Sequence, residues 1–284
     1  MKISVIMPSY NQAQFVESAL LSVLDQDYPE KEILFLDGGS TDNTMELVEP
    51  YRNQLAVCVS EKDGGQSDAL ANGFARATGQ ILTWVNTDDI LLPGALSGAA
   101  QAFNRDSKCE WVFGNVIWID ANNTILQCRK GEVWAKAATT LGELTACGPS
   151  AFFSRDLYER VGGINRQLHY MMDTELWWRF ALCGSSYVRL SRYTWALRLH
   201  EDAKVSGHMF SDPNDPNQLR IEAAKATERE HIAQIQRKYR IQSSPLLTPL
   251  RLALKATSPG YLRSFVDSWH WHGHPLHLLL EKMR

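Results

Sequence analysis

Apolar residues in the first hundred positions alternate between short continuous runs and helix-spaced sets. Ile3-Ser4-Val5-Ile6-Met7 is closed by Pro8 and predicts a buried strand. Phe15, Ala19, Leu20 and Val23 then recur at helical spacing up to Leu24. Ile33 to Leu36 predicts a second strand, cut by Asp37-Gly38-Gly39, and Ser40 or Thr41 is expected to cap a helix running to Tyr51. Ala56 to Val59 reads as a third strand, and Asp68 to Ala77 as a helix stopped by Gly79. Ile81 to Val85 is a fourth strand, after which Pro93 opens another helix. This alternation predicts an α/β fold, a Rossmann-like and mostly parallel sheet with helices on both faces. Ligands of such sheets bind beyond the carboxyl ends of the strands. That rule selects four loops: Pro8–Asn11, Asp37–Asp42, Glu61–Gln66 and Asn86–Asp89.

The pattern changes after residue 105. Trp111 to Ile119 is β-rich, Ala121-Asn122-Asn123 is a turn signal, and Thr124 to Cys128 can return as a hairpin. Arg155 to Val161 predicts a short helix ended by Gly162-Gly163, Asp173 to Leu182 an aromatic helix ended by Gly184, and Val188 to Leu199 further strand. Ser211 to Pro216 is turn-rich, Leu219 to Tyr239 predicts a charged helix, and four prolines punctuate the last forty residues. The division expected is 1–105, 106–210 and a helical extension over 211–284. In that extension Leu246, Leu247, Leu250 and Leu254 form an apolar face beside Arg251 and Lys255. It suits either packing on the main domain or contact with a membrane surface.

Composition narrows the classes. The chain has 284 residues, 44% of them hydrophobic and 21% charged, enough for a sizeable core. A net charge of −3 gives no overall basic field, so nucleic acid is not an expected partner. Five cysteines without CxxC spacing argue against a disulfide framework and fit a reducing cytosol. The apolar run at the N-terminus is broken too early for a signal peptide, and no stretch approaches eighteen uncharged apolar residues. A cytoplasmic location is therefore expected, with peripheral contact at the inner face of a membrane as an addition.

Three of the four loops carry carboxylates. Asp88 and Asp89 adjoin at a strand end, where they repel unless a cation joins them, and a hard divalent ion that also binds a diphosphate would do so. The same residues could instead cap the helix after Pro93. Asp37 in Asp37-Gly38-Gly39-Ser40-Thr41-Asp42 could accept from a base or ribose, or simply hold a turn. Asp63-Gly64-Gly65-Gln66-Ser67-Asp68 opens a helix whose N-terminus suits an anion, or where Asp68 only answers the helix dipole. No Walker lysine and no GxGxxG occurs.

As an ordered set these pieces resemble the family 2 glycosyltransferases of the GT-A fold. The matching segments are Val5-Ile6-Met7-Pro8-Ser9-Tyr10-Asn11, Asp37 to Asp42, Asp63 to Ala69 with Asn72-Gly73, Asn86-Thr87-Asp88-Asp89, Gly162 to Asn165, Met172 to Arg179, and Arg198-Leu199-His200 before Ser206. The resemblance covers about residues 1–210. It implies transfer of a sugar from a nucleotide-diphosphate sugar, UDP by family habit, to a glycan or lipid-linked acceptor hydroxyl with inversion, using Mg²⁺ or Mn²⁺. Pro8, Ser9 and Tyr10 would line the nucleotide pocket, Asp37 would meet the base, and Asp63 would lie at the base or ribose edge, with Asp68 beside them. Asp89 would hold the metal, Asp88 the ribose or the metal's shell, His200 the metal or diphosphate, and Arg198 a phosphate. Asp173 would be the general base.

Two positions depart from the family pattern. Asn86 stands where Asp is more usual, and Met172 where Glu is usual. An apolar neighbour at 172 is expected to raise the pKa of Asp173. Asp173 could also cap its helix, and Glu175, roughly 200° around that helix, is expected off the face that carries it. Trp177 and Trp178 suit either sugar stacking or a core. The rivals are a sugar nucleotidyltransferase, which would want a basic Gly-rich loop near the first strand, and a nucleotide- or glycan-binding pseudoenzyme.

Overall fold

The computed structural model of the chain describes residues 1–130, 137, 140, 151–204, 216–241, 245–257 and 260–283. Its first half follows the alternation in the sequence: β1 (Ile3–Ser9), α1 (Val16–Leu24), β2 (Lys31–Asp37), α2 (Thr44–Val48) with a 3-10 turn over Glu49–Gln54, β3 (Val57–Ser60), α3 (Gln66–Arg76) and β4 (Ile81–Trp84). Then come β5 (Ile90–Leu91), α4 (Ala95–Arg105), β6 (Trp111–Ile119), β7 (Ile125–Arg129), β8 (Ala151–Ser154), α5 (Arg155–Arg160), α6 (Met172–Leu182) and β9 (Tyr187–Arg198). The C-terminal helices are α7 (Pro216–Tyr239), α8 (Thr248–Thr257), α9 (Tyr261–Trp271) and α10 (Leu276–Met283).

The strands form one sheet in the order β3-β2-β1-β4-β8-β6-β9-β5, with β7 paired to β6. The β1–β2, β1–β4 and β2–β3 pairs are parallel, as the alternation predicts. The second half is mixed. β8 runs antiparallel to both β4 and β6, β9 runs parallel to β6, and β5 antiparallel to β9. Residues 1–105 and 106–210 therefore share a single sheet, joined where β4 meets β8 and where β5 meets β9.

Burial on both faces explains the continuous apolar runs. Every residue of β1 is buried. One core contains Ile6, Leu34, Phe74, Trp84, Trp111 and Trp177, the other Val5, Val16, Leu20, Phe35, Leu96 and Trp195. Helix α3 lies tight on the sheet at Gly73, where an added Cβ would sit 2.5 Å from Ile6 Cγ2 and 2.9 Å from Leu36 Cδ1. Trp177 of α6 stacks between Trp84 and Trp111, with ring centroids 5.3 and 6.0 Å apart. Trp178 is buried as well. Both tryptophans are therefore core, and the stacking of Trp177 anchors α6 over β4 and β6.

Two expected caps are not made. The helix after the Asp37 turn starts at Thr44 with Asn43 before it, and the Asp42 carboxylate accepts from the Thr44 N–H. Ser40 and Thr41 face the neighbouring loop instead. After Pro93, Gly94 precedes the helix in the left-handed region at φ 74°, so neither Asp88 nor Asp89 caps it.

The C-terminal helices dock on the hairpin of β6 and β7. Ser268 of α9 donates to the Cys128 carbonyl and accepts from its N–H, and the Tyr193 hydroxyl donates to Asp267 at 2.6 Å. Leu276 and Leu279 of α10 join Ile117, Ile119 and Ile125 in a third, smaller core. From the expected Leu246–Leu254 face, Leu246 and Leu250 are exposed, while the side chain of Leu254 lies outside the described residues.

Candidate active site

Each parallel strand ends at the same edge, and the four loops selected from the sequence are hydrogen-bonded to one another there. The Gly38 N–H donates to the Ser9 carbonyl, the Glu61 N–H to the Asp37 carbonyl, and the Thr87 hydroxyl to the Pro8 carbonyl. Asn11, at φ 51°, accepts from the Thr41 N–H through its side chain while its own N–H donates to the Ser40 hydroxyl. The result is one continuous rim. Tyr10 projects from it, 58% exposed, whereas Pro8 and Ser9 are buried. The Ser9 hydroxyl has no hydrogen-bond partner among the described residues. A buried hydroxyl left in that state at a strand end is one that a ligand would satisfy.

Asp37 is committed to the rim itself. One oxygen accepts from the Gly39 N–H, the Ser40 N–H and the Ser60 hydroxyl, and the other from the Ser40 hydroxyl. With its residue 2% exposed, this carboxylate shapes the turn from within. Asp63 is half-buried and packs against Gly38, where a Cβ would stand 3.0 Å from its Oδ1. It accepts from the Gly65 N–H at 2.7 Å, and burial outweighs that bond to raise its pKa. Asp68 accepts from the Gly64 N–H, which lowers its pKa, and pairs with Arg166, which also bonds Asn72. Asp68 thus holds the loop before α6 against α3.

The Asn86–Asp89 loop meets the end of β9. Asp89 is 2% exposed, with one oxygen accepting from the Arg198 N–H at 2.9 Å and the other from the Asn86 side-chain amide at 3.1 Å. Burial, reinforced by the adjacent Asp88, raises its pKa well above the ordinary aspartate value. Asp88 is half-buried, and its Oδ2 lies 3.2 Å from His200 Nε2. The His200 ring in turn lies 4.8 Å from that of Phe15. Asp88, with one-fifth of its side chain exposed, is therefore the outward-facing carboxylate of the loop, and it is paired with the buried His200. Asp89, which the family resemblance ranks first for metal, sits behind them with both oxygens engaged. The Arg198 guanidinium is buried and donates to the carbonyls of Asp88, Asp120 and Ala121. In this structure it braces the loop rather than projecting toward a phosphate. Ser206 lies outside the described residues.

Among the described residues no group of three or more His, Cys, Asp or Glu side chains converges as a closed metal cage. Mg²⁺ characteristically takes one or two carboxylates plus substrate phosphates and water, and the Asp88 carboxylate, with Asp89 adjoining it, is the group here that fits that donor set.

The loop before α6 completes the rim. The Ser67 hydroxyl donates to the Leu168 carbonyl, and the N–H groups of His169 and Tyr170 donate to the carboxylate of Glu228 on α7. Asp173 follows in the first turn of α6. Its carboxylate accepts from the Thr174 N–H at 2.6 Å, and burial raises its pKa. The direction is the expected one and burial is its leading cause; Met172 itself turns into the core with Leu176 and Trp177. The helix begins after Met171, so Asp173 is not its cap residue. Glu175 is buried and paired with Arg179 within the helix. Sequence reasoning missed Gln66, whose amide donates to Asn86 Oδ1 at 2.7 Å, and Lys204, whose Nζ donates to Gln66 Oε1 at 3.0 Å and to the His169 carbonyl at 3.3 Å. Gln66 stands inside the Asp63–Asp68 segment, where nothing marks it out from its neighbours, and Lys204 sits in no spacing pattern that announces it.

Residues 4–162 match the sequence model described as Glycosyl transferase family 2. The chain belongs to that family. An uncharacterised glycosyltransferase of Rickettsia prowazekii (strain Madrid E) is 26% identical over 192 residues, which are 65% of this chain and 60% of the relative. The poly(ribitol-phosphate) beta-N-acetylglucosaminyltransferase TarS of Staphylococcus aureus is 36% identical over 105 residues, 35% of this chain and 18% of TarS. The matched stretch is thus less than two thirds of these relatives' own length. Among solved structures, TarS 1–349 in complex with UDP-GlcNAc superposes with a TM-score of 0.61 at 20% identity, covering 91% of this chain and 68% of the other. The mannosyltransferase PcManGT from Pyrobaculum calidifontis, in complex with GDP-Man and Mn²⁺, gives 0.58 at 21% identity, covering 99% and 79%. At these identities the likeness is one of fold, the GT-A architecture.

Proposed function

We propose that the protein transfers a sugar from a nucleotide-diphosphate sugar, UDP-linked by preference, to an acceptor hydroxyl in glycan or polysaccharide synthesis, with inversion at the anomeric carbon. The observation that carries this is the convergence on one rim of four hydrogen-bonded loops, the Asp88–His200 pair and the segment leading to Asp173. Pro8, Ser9, Tyr10 and Asp63 receive the nucleoside, with Asp37 and Asp68 holding the rim in shape. Asp173 takes the proton from the acceptor oxygen, and burial suits it to that work by making it a stronger base than a solvated aspartate. A divalent ion, Mg²⁺ or Mn²⁺, supplies charge neutralisation for the departing diphosphate. Asp88 and His200 are its first ligands in this reading, with Asp89 behind them and Arg198 fixing the loop. A screen of nucleotide-sugar hydrolysis with each metal tests the reading. Release of nucleoside diphosphate that disappears in Asp88→Ala and Asp173→Ala supports it, and full activity in both variants refutes it. A pseudoenzyme would bind donor without turnover.

A second reading concerns location. Among the described residues, every exposed large hydrophobic except Met1 and Tyr10 lies between Leu246 and Leu278, with Trp269 at 85% exposure. Residues 245–284 also carry five Lys or Arg against Asp267 and Glu281, and Asp267 is paired with Lys130. Apolar side chains set among basic ones suit an anionic lipid surface. No helix among the described residues is long and apolar enough to cross a membrane. We read the extension as a peripheral contact at the cytoplasmic face, serving a glycan or lipid-linked acceptor. Co-sedimentation with vesicles containing phosphatidylglycerol, absent with phosphatidylcholine alone, is the expected result. Equal recovery with both, or concentration-dependent dimerisation through α8 and α9, would speak against lipid.

A further inference from the structure

Lys204 lies four residues beyond His200, between His200 and Ser206 but not among the residues that carry the family resemblance. Its ammonium donates to the Gln66 side-chain oxygen at 3.0 Å and to the His169 carbonyl at 3.3 Å. Both are neutral acceptors. An ammonium gives up strong hydration on entering such a site, and neutral partners return less than an anion would. The negative charges that act on it are, largest first, Glu228 of α7, Asp88 and Asp63, so the donor-site carboxylates contribute to the field around it. Although the residue as a whole is exposed, packing around the ammonium lowers its pKa.

The position is held by a chain of hydrogen bonds that reaches the loop of the two carboxylates. Gln66 accepts from Lys204 and donates to Asn86 Oδ1 at 2.7 Å, and Asn86 donates to Asp89 Oδ2 at 3.1 Å. Asn86 serves both neighbours because a side-chain amide has an acceptor and a donor. An ionised aspartate in its place could accept from Gln66 but could not donate to Asp89. The departure from the family pattern at 86 and the lysine at 204 thus belong to one arrangement. The loop has one carboxylate fewer, and a cation stands at the far end of the chain that this substitution permits. Gln66 is also the first residue of α3, so the ammonium sits beside a helix N-terminus, which itself favours an anion.

We propose that Lys204 is a diphosphate-binding residue of the donor site, its ammonium leaving Gln66 or His169 for a phosphate oxygen and sharing with the metal the neutralisation of the leaving group. The proposal rests on the glycosyltransferase reading. It separates the nucleotide into two parts: the nucleoside, which Lys204 does not touch, and the diphosphate, which it does.

The test is calorimetric titration of the full chain with UDP, GDP, uridine and guanosine in Mn²⁺, comparing wild type with Lys204→Met and Lys204→Arg. Thermal unfolding midpoints of all three control for folding. Lys204→Met is expected to weaken the preferred nucleoside diphosphate about tenfold, the scale of one charge-assisted contact, and to leave the matching nucleoside unchanged. Lys204→Arg, which keeps the charge, should stay within about threefold of wild type. Unchanged diphosphate affinity in Lys204→Met overturns the proposal while leaving the donor reading intact. So does an equal loss for nucleoside and diphosphate, which would mark a general disturbance of the pocket. Wild-type protein that binds neither UDP nor GDP overturns the donor reading, and the proposal with it.

Discussion

Asp173 shows how a single side chain can be tested for chemistry apart from structure. Its pKa is raised because burial disfavours the ionised form. Catalysis as a base needs that ionised form, so kcat/KM should fall as pH drops through a value above the ordinary aspartate range. Stability runs the other way. A carboxyl whose folded pKa is raised favours the fold while protonated, and this contribution is lost as pH rises through the folded pKa. Asp173→Asn is therefore expected to lower kcat by about 10²–10⁴-fold with no loss of thermal midpoint at neutral pH, measured by scanning fluorimetry beside the rate assay. A second expectation concerns the acidic pair. Asp89 is buried beside Asp88 with its pKa raised by burial and by that neighbour, so at neutral pH its charge is held at a cost. Mn²⁺ together with UDP should raise the unfolding midpoint of wild type and have a much smaller effect on Asp88→Ala. The carboxylates of this site were legible in the sequence because charge at a strand end is conspicuous. Gln66 and Lys204 were not, since their roles depend on which loops meet in space, and Arg198 and Asp37 turned inward because unpaired backbone groups around them needed partners.

Among the elements, α3 carries the clearest constraint. A methyl at Gly73 would collide with Ile6 and Leu36, buried side chains of central strands. Overpacking costs about 1–3 kcal/mol, offset by about 1 kcal/mol of helix propensity gained from alanine. Gly73→Ala should thus lower stability in a denaturant titration, and it should weaken nucleotide binding because Gln66 and Asp68 ride on the same helix. The apolar runs made β1, β2 and β4 readable, since strands buried on both faces have no polar alternation to disguise them, and β3, the half-buried edge strand, was readable from its short apolar run alone. β5 and β8 escaped notice for the opposite reason. β5 has only two residues, and long-range partners rather than local sequence make both β5 and β8 strands. The caps assigned to Ser40 and Thr41 failed because Asp37 and Asn11 bind those residues first.

For the whole molecule, the extension ties onto β7 with one side of α9 and leaves Phe265, Val266 and Trp269 outward on the other. Replacing Phe265 and Trp269 together by serine should cut vesicle binding about tenfold or more, given about 1.5–3 kcal/mol for burying one large apolar side chain. Soluble acceptor turnover should be unaffected, which a parallel rate assay would establish. The pairing of β5 with β9 has a different kind of consequence. Ile90 and Leu91 follow directly on Asp88 and Asp89, and their partners Ala196 and Trp195 lead directly into Arg198 and His200. Asp89 and Arg198, bonded to each other, are 109 residues apart in the chain. Closing a loop of that size is entropically slow, and nothing local rewards it in advance. The Asp88–His200 pair, proposed above to hold the metal, should therefore be among the last features to form during folding. In a refolding experiment, recovery of Mn²⁺ affinity should lag behind recovery of helical signal, so that ion binding reports a finished sheet rather than a collapsed one.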